Sequence, residues 1–565
     1  MSAMAREAAS GTAPDAAPGT GRRGTARRPA RLVATGLRAA RLSVLQERAW
    51  LIVLPVVTAA LTALLCPSYG DTFRTPQDLA VAVASAQGSQ TSRLLYGSLP
   101  ESAGLVQFAA WELGALTCLV LGIVMSLRAA ARSRGDEDLG RAELLHAAGA
   151  GPGMRLAGQA VALGLECLLV GAGTGVGLLA LDGTGGTDAA AYGGAVAGTC
   201  LALTCLTLLV AQLVQDAAGA RGLALLIMGL AFIGCGLDAA EDWHWAGWAS
   251  PFRLRAAMDP GGDNDWTPCL WAASACAVLL AMAVAVAGRR DLGLGALRLA
   301  RPWAGRRLRV AGPVGLALEL AAGQFLAWAA TSAVITGLLV SMGEGVVDLA
   351  REGGYSGHGH LGSLRDGADA GRAFLAYIGA LTGALASSQA VSLVRRYGGD
   401  EQAGRLESAR STGTRPSRLL MAWWIAACLG AGACLAAGSL AAGAVGGSAL
   451  GTDAGDALRL VGGQWPAAAA AAGLGAALCG WAQQWRGLAW LPVLMGLGIT
   501  QLGGVMGLPQ EVRDAAPFAQ AGERGCLWLV AIAVVGLAVG ALGAERRDIA
   551  SSSQRRRFGG RSAPR

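Results

Sequence analysis

Twelve apolar runs dominate this 565-residue sequence and constrain its fold more than any other feature. Most runs reach about 20 residues, the length that an α-helix needs to cross the hydrocarbon of a bilayer. Only 15% of the residues are charged, against about 25% in soluble domains. We therefore predict an all-α polytopic membrane protein. The runs cover residues 49–66, 104–127, 156–181, 191–213, 222–237, 267–288, 316–342, 372–394, 419–446, 464–482, 487–507 and 526–544.

Arginine is distributed unequally between the two sides of the predicted membrane. The sequence has no lysine, and if the runs alternate in direction, 36 of its 46 arginines fall on one side and 10 on the other. Cytosolic segments of membrane proteins are enriched in basic residues. The Arg-rich side is therefore predicted to be cytosolic, which places a multi-pass chain in the cell membrane with both termini inside.

The polar segments divide the chain into predicted regions. Residues 31–48 place apolar residues on one helical face and arginines opposite, which predicts an interfacial helix; alternatively, they are only the first turns of span 1. The segments Asp78 to Gly97 and Pro509 to Gln520 are predicted to be short surface helices. The regions are a disordered tail (1–30), a first transmembrane half (31–288), a basic linker (289–313), a second half (314–544) and a basic tail (545–565).

A short motif occurs twice, and we call its two copies elbow 1 and elbow 2. Elbow 1, Gly135–Glu143, reads GDEDLGRAE, and elbow 2, Gly399–Glu407, reads GDEQAGRLE at an offset of 264 positions. Arg221-Gly-Leu-Ala and Arg486-Gly-Leu-Ala match at nearly the same offset. The sequence is therefore predicted to be a duplication. Since six spans per repeat is even, the halves would be parallel and related by an axis along the membrane normal.

Each elbow joins the second and third spans of its half, and its charges allow two interpretations. Glu137 with Arg141, and Glu401 with Arg405, have the i,i+4 spacing of self-paired residues on a solvated helix. Alternatively, each elbow presents its charges to a soluble partner. The duplication favours docking, since two like elbows match a dimeric motor. The predicted docking residues are Asp136, Glu137, Gly140, Arg141, Glu143, Asp400, Glu401, Gly404, Arg405 and Glu407.

Acidic residues inside the apolar runs are the other candidates for a site. Glu112 and Glu166 are predicted to line a substrate path, since a carboxylate in lipid is costly and usually faces protein or water; a purely structural, hydrogen-bonded Glu is the alternative.

A Walker A loop requires Lys, so no standard ATPase site is predicted. No C-x-x-C occurs and the four His are not clustered, so no metal site and no enzyme is predicted.

These features resemble the permeases of type-2 ATP-binding cassette exporters, in particular an actinobacterial family of polyketide-antibiotic exporters. The resemblance covers the chain from about Leu37 to Ile549. The elbows carry it most specifically. The other motifs that carry it are Ser92-Arg93-Leu94-Leu95-Tyr96-Gly97, Ser250-Pro251-Phe252 and Arg546-Arg547-Asp548-Ile549.

The resemblance implies a fused pair of six-span halves that exports a hydrophobic or amphiphilic small molecule, such as an antibiotic or drug. It implies that the elbows are coupling helices seated in grooves of separate, homodimeric ATPase subunits. Those partners, and not this chain, would bind ATP and Mg²⁺. Elbow 2 is followed by Ser408-Ala409 where elbow 1 is followed by Leu144-Leu145, so we expect the two docking contacts to be unequal.

Two other functions are compatible with twelve spans. A proton-driven secondary transporter would use Glu112 or Glu166 as its carrier, but it leaves the paired elbows unexplained. A non-transporting signalling relative of the permeases would need a large external domain to pass force along. The predicted external loops are too short for that.

Overall fold

The computed structural model describes residues 27–546, apart from 89, 139, 148, 150, 216, 242, 292–294, 297–309, 311, 342, 344–369, 403, 504–507 and 520–525. Within this described part, the chain forms helices and irregular connections and contains no strand. The all-α prediction is confirmed. The predicted N-terminal tail up to residue 26 and most of the linker 289–313 lie outside the described residues.

The described part of the first half contains fourteen α-helices, and a π-helical turn at Ala131–Gly135 separates α6 from α7. In chain order they are α1 (Arg27–Glu47), α2 (Trp50–Leu65), α3 (Pro67–Thr72), α4 (Pro76–Gly88), α5 (Gln90–Tyr96), α6 (Leu105–Ala130), α7 (Asp136–Asp138), α8 (Arg141–Ala147), α9 (Pro152–Leu178), α10 (Gly186–Leu213), α11 (Ala217–Glu241), α12 (His244–Trp248), α13 (Arg253–Met258) and α14 (Thr267–Arg289).

The described part of the second half contains nine α-helices and three short 3₁₀ segments, Gly462–Gln464, Gln483–Trp490 and Pro517–Ala519. The α-helices are α15 (Gly312–Ser341), α16 (Ala370–Gln402), α17 (Arg405–Ser411), α18 (Pro416–Ala449), α19 (Ala454–Leu460), α20 (Trp465–Trp481), α21 (Leu491–Leu502), α22 (Gln510–Asp514) and α23 (Cys526–Arg546).

Ten helices in the described part of the chain are long and apolar enough to cross a membrane, as a multi-pass protein requires. The tenth and eleventh predicted runs form shorter helices, α20 with 17 residues and α21 with 12. The predicted limits of the fifth run, 222–237, are wrong, because α11 has 25 residues. It continues past Asp238, whose carboxylate is neutralised by Arg253 at 2.7 Å.

The predicted interfacial segment is a helix, and it packs against the bundle. A Cβ at Gly158 of α9 would lie 3.0 Å from the backbone of Ala39 and Ala40 in α1. The predicted surface helices are also confirmed. They are α4 and α5 at the predicted segment Asp78 to Gly97, and α22 with the 3₁₀ turn Pro517–Ala519 in the segment 509–520.

The extensive helix contacts fall within two groups, α1–α14 and α15–α23. The most enclosed spanning helices are α10 in the first group and α16 in the second. Small residues allow the closest approaches: a Cβ at Gly480 of α20 would lie 2.1 Å from the Gly540 carbonyl oxygen of α23. Close backbone contact of this kind is the usual packing device of helices in lipid.

Two motifs of the first half meet on the side opposite the elbows. The Trp111 indole donates a hydrogen bond to the Gly97 carbonyl at 3.0 Å. The Arg255 guanidinium, just after the Ser250-Pro251-Phe252 motif, donates to the Tyr96 carbonyl. Burial lowers the pKa of Arg255. These contacts assign both motifs a structural role, as a cap over this end of the bundle.

Candidate docking elbows and intramembrane sites

Both elbows share one backbone design, in which a glycine divides two helices. Gly140 has φ 70° and Gly404 has φ 71°, in the left-handed region that glycine adopts without the steric cost of a Cβ. The next helices, α8 and α17, begin at Arg141 and Arg405. The conserved spacing of the repeat therefore encodes a turn, after which a short helix starts in a new direction.

This turn makes the predicted i,i+4 pairs wrong. Arg141 instead pairs with Asp136, at 3.2 Å, and Arg405 pairs with Asp400, at 2.6 Å. The physical reason is that Gly140 and Gly404 interrupt the helix between the acidic residue and the arginine. The spacing i,i+4 brings side chains together only within a continuous helix.

The short helices present only some of the predicted docking residues to solvent. Arg141 and Glu143 of α8 are exposed, as are Arg405 and Glu407 of α17. The side chains of Asp136 and Asp400 are recessed, each 13% exposed. One apolar side chain stands out on α8: Leu144 is 74% exposed.

Glu137 is the centre of a buried ion-pair network. Its carboxylate lies 2.8 Å from Arg134 and 2.6 Å from Arg290, and it also accepts a hydrogen bond from Arg155. Only 3% of the Glu137 side chain is exposed. Three converging guanidinium groups hold the carboxylate inside the protein in this structure, and its role in docking stays a prediction.

The same network ties elbow 1 to three other elements. Arg155 belongs to α9, and Arg290 follows the last residue of α14. Arg134 is fully buried, and its Nε donates to the Ala211 carbonyl of α10 at 2.6 Å. Gln212 of α10 accepts from Arg290 at 2.7 Å. A displacement of elbow 1 is therefore transmitted directly to α9, α10 and the end of α14.

Elbow 2 is anchored through different contacts. The Gln483 amide donates to the Glu401 carboxylate at 3.0 Å and to the Gly398 carbonyl at 2.7 Å. The Arg395 guanidinium lies 5.6 Å from the centre of the Trp490 ring. Gln483 and Trp490 are the two ends of the 3₁₀ segment that precedes α21. Elbow 2 is thus coupled to that segment by an amide and an aromatic ring.

A second buried charge cluster lies where α1, α6 and α9 meet. Arg128 of α6 lies 2.6 Å from Glu47 and 2.8 Å from Glu166, and Arg132 donates to the other Glu47 oxygen. Glu47 and Glu166 are 2% and 0% exposed. Glu166 is therefore engaged by Arg128 inside the bundle, and its role in a substrate path stays a prediction.

The amphipathic pattern of residues 31–48 assigns no role to Glu47, because it predicts only that the arginines of this helix face lipid headgroups. A signal was present, since Glu47 is the single acidic residue among residues 31–66. The roles of Arg155 and Arg290 were missed as well. Both follow from three-dimensional proximity to Glu137, and neither belongs to the elbow motif.

Glu112 lies in the second turn of α6, toward the side opposite the elbows. Its carboxylate accepts a hydrogen bond from the Tyr69 hydroxyl at 2.9 Å. The side chain is half-buried, and no described residue forms an ion pair with it. Its role in a substrate path stays a prediction.

Membrane-length helices in two groups, with matching elbows and internal ion pairs, define a polytopic helical membrane protein. Comparison with known proteins makes the class more specific. Residues 310–544 match the family model for the C-terminal domain of the multidrug efflux system permease Rv1217c. The chain is also 27% identical, over 488 residues, to the multidrug efflux system permease protein Rv1217c of Mycobacterium tuberculosis (strain ATCC 25618 / H37Rv), covering 83% of this chain and 87% of that protein. These similarities support a multidrug exporter permease.

Proposed function

We propose that this chain is the membrane-spanning permease of an ATP-binding cassette exporter, which moves hydrophobic or amphiphilic small molecules out of the cell. The similarity to a multidrug efflux permease supports the transport role. The observation that carries the coupling to an ATPase is the pair of matching elbows. Each elbow is a glycine-divided turn that presents an exposed Arg and an exposed Glu on a short helix.

In this proposal, α8 and α17 dock into two copies of a soluble ATPase, and the chain itself hydrolyses no ATP. The concentration of arginine on one side of the spans supports a cytosolic location for both elbows and both termini, where ATP is available. Charged residues on the rim of an interface mainly guide association and choice of partner. The exposed residues Arg141, Glu143, Arg405 and Glu407 are suited to that role.

The transport step is a change in the relative positions of the two halves. ATP closes the partner dimer, and each docked elbow moves with its ATPase subunit. Elbow 1 passes this movement to α9 and α10 through Glu137, and elbow 2 passes it to the segment before α21 through Gln483. ATP binding then favours one of two membrane conformations because the partner contacts them differently.

Copurification with a Walker-motif ATPase, to be sought among the open reading frames beside this gene, tests the proposal. The wild-type complex should contain one permease and two ATPase chains and should export a fluorescent drug from vesicles when ATP is supplied. The double variant Glu143→Arg/Glu407→Arg should lose both capture of the ATPase and transport.

The control is Glu511→Arg, a charge reversal on an exposed short helix at the opposite end of the bundle, and it should leave both properties unchanged. If the double variant still captures the ATPase with wild-type affinity, the elbows are not the docking sites. If the permease alone transports in response to a pH gradient, the secondary-transporter function replaces this one.

A further inference from the structure

We infer that Glu112 and the aromatic side chains beside it form a binding site for an amphiphilic monocation. This inference rests on the proposed export function and specifies its substrate class. Glu112 lies about two turns inside α6 and receives a hydrogen bond from Tyr69 at 2.9 Å. A carboxylate within a spanning helix and without a cationic partner among the described residues has an unmet preference for positive charge.

An aromatic cluster lies beside Glu112, with Phe108 and Trp111 of α6 buried within it. The centre of the Phe108 ring lies 6.3 Å from the Tyr69 ring, 5.3 Å from the Phe73 ring and 5.6 Å from the Trp111 ring. Their faces carry partial negative charge and attract cations, most strongly where water is scarce. A carboxylate beside aromatic rings is the chemistry that recognises a cation with an apolar body.

The helix face that continues from Glu112 toward the elbow side is apolar and open. Leu116 is 42% exposed and Val120 is 56% exposed, one and two turns further along α6. The main helix contacts of α6 are with α10 and α11, and they leave this face uncovered. It provides an apolar surface for the body of a ligand whose charge lies at Glu112.

The second half contributes a hydroxyl at the corresponding place. Tyr377 of α16 stands 265 positions after Glu112, one more than the offset between the elbows, and lies within electrostatic range of it. In transporters built from repeats, the substrate site lies at the interface of the repeats. A single carboxylate with a neutral phenol nearby matches a ligand with a single positive charge.

Binding of radiolabelled tetraphenylphosphonium to the purified permease–ATPase complex tests the inference. Tetraphenylborate has the same shape and the opposite charge, so it reports on binding by shape alone. The wild-type complex should bind the cation saturably and the anion at least about tenfold more weakly, a difference of about 1.4 kcal/mol. Glu112→Gln should raise the Kd for the cation about tenfold or more, and Glu112→Asp should raise it less.

The matched control is Glu319→Gln, which removes the same charge from an exposed position of α15. It should leave the Kd for tetraphenylphosphonium unchanged. Unchanged cation affinity in Glu112→Gln, in a complex that still holds its ATPase and hydrolyses ATP, would overturn the inference but not the proposed function. Loss of the ATPase from the wild-type protein would overturn the proposed function itself.

Discussion

The two halves of the chain keep the same elbow surface but differ in what holds it from inside. At the offset of the repeat, Arg134 and Arg155, two of the three arginines that bind Glu137, are replaced by Gly398 and Leu419. In elbow 1 the Glu137 carboxylate pairs with Arg134 and Arg155, and in elbow 2 Glu401 accepts a hydrogen bond from Gln483. Between the two copies of the motif, the exposed residues are alike while the supporting contacts of these glutamates differ.

The interior near α1 and α15 shows the same difference. Arg128 corresponds to Ser392, and Glu166 corresponds to Gly430. Where Arg128 bridges Glu47 and Glu166, Ser392 accepts a hydrogen bond from Gln324 at 2.8 Å. Buried ion pairs contribute little net stability, but removal of one member leaves an uncompensated charge. The first half should therefore be far more sensitive to single substitutions than the second.

The largest expected effect comes from neutralising the hub of elbow 1. Glu137→Gln leaves Arg134, Arg155 and Arg290 without their shared carboxylate, at a cost of about 3–5 kcal/mol. Glu401→Gln should cost about 1 kcal/mol, since its side chain still offers an acceptor to Gln483. Thermal unfolding of the two variants in one detergent measures the difference. Equal losses would show that the two anchors are energetically alike.

The second prediction concerns the cluster around Arg128. Arg128→Ser alone leaves the Glu166 carboxylate without its cation and leaves Glu47 with Arg132 alone, and it should cost about 3 kcal/mol. The triple variant Glu47→Gln/Arg128→Ser/Glu166→Ala imitates the neutral arrangement of the second half and should recover most of that loss. Melting temperatures of the single and triple variants measure the recovery. A triple variant less stable than Arg128→Ser would mean that the charges stabilise the fold by themselves.

Much of this architecture follows from the sequence because lipid imposes a strong constraint. Backbone groups in hydrocarbon must be hydrogen-bonded internally, so long apolar runs become helices. That argument places ten of the spans and fails only in detail. The apolar pattern ends the fifth run before Asp238, because the sequence does not show that Arg253 neutralises this residue. The positions of the elbows could also be predicted from the sequence, because a repeated motif is easily recognised against a biased composition.

The buried contacts of the elbows could not be predicted from the motif. Glu137 and Glu143 are both acidic members of one motif, yet the first is buried and the second exposed. The difference arises from Arg155 and Arg290, which lie 18 and 153 positions after Glu137. One clue was available: Arg155 has Leu419 as its counterpart, and such a charge mismatch between repeats marks a contact that only one half makes.

The third prediction tests whether the two docking surfaces are unequal. Leu144 is exposed on α8, and Ser408 takes its place on α17. If both helices contact ATPase subunits, Leu144→Ser removes an apolar contact and should weaken capture of the ATPase about tenfold, or about 1.4 kcal/mol. Ser408→Leu should strengthen capture. Titration of immobilised permease with ATPase measures both, and opposite signs are required. No change in either variant would mean that this position faces solvent in the complex.

The smallest effect is expected where the two halves are most alike. The Asp136–Arg141 and Asp400–Arg405 pairs have exposed arginines, with 62% and 67% of the side chain accessible. Exposed ion pairs contribute about 0.5 kcal/mol and weaken as salt screens them. Arg141→Ala and Arg405→Ala should therefore lower the melting temperature by similar, small amounts that diminish in high salt. A large decrease in melting temperature for Arg141→Ala alone would show that the two halves also differ at the elbow surface. Equal, small decreases would show that they differ only in the buried contacts that anchor the elbows.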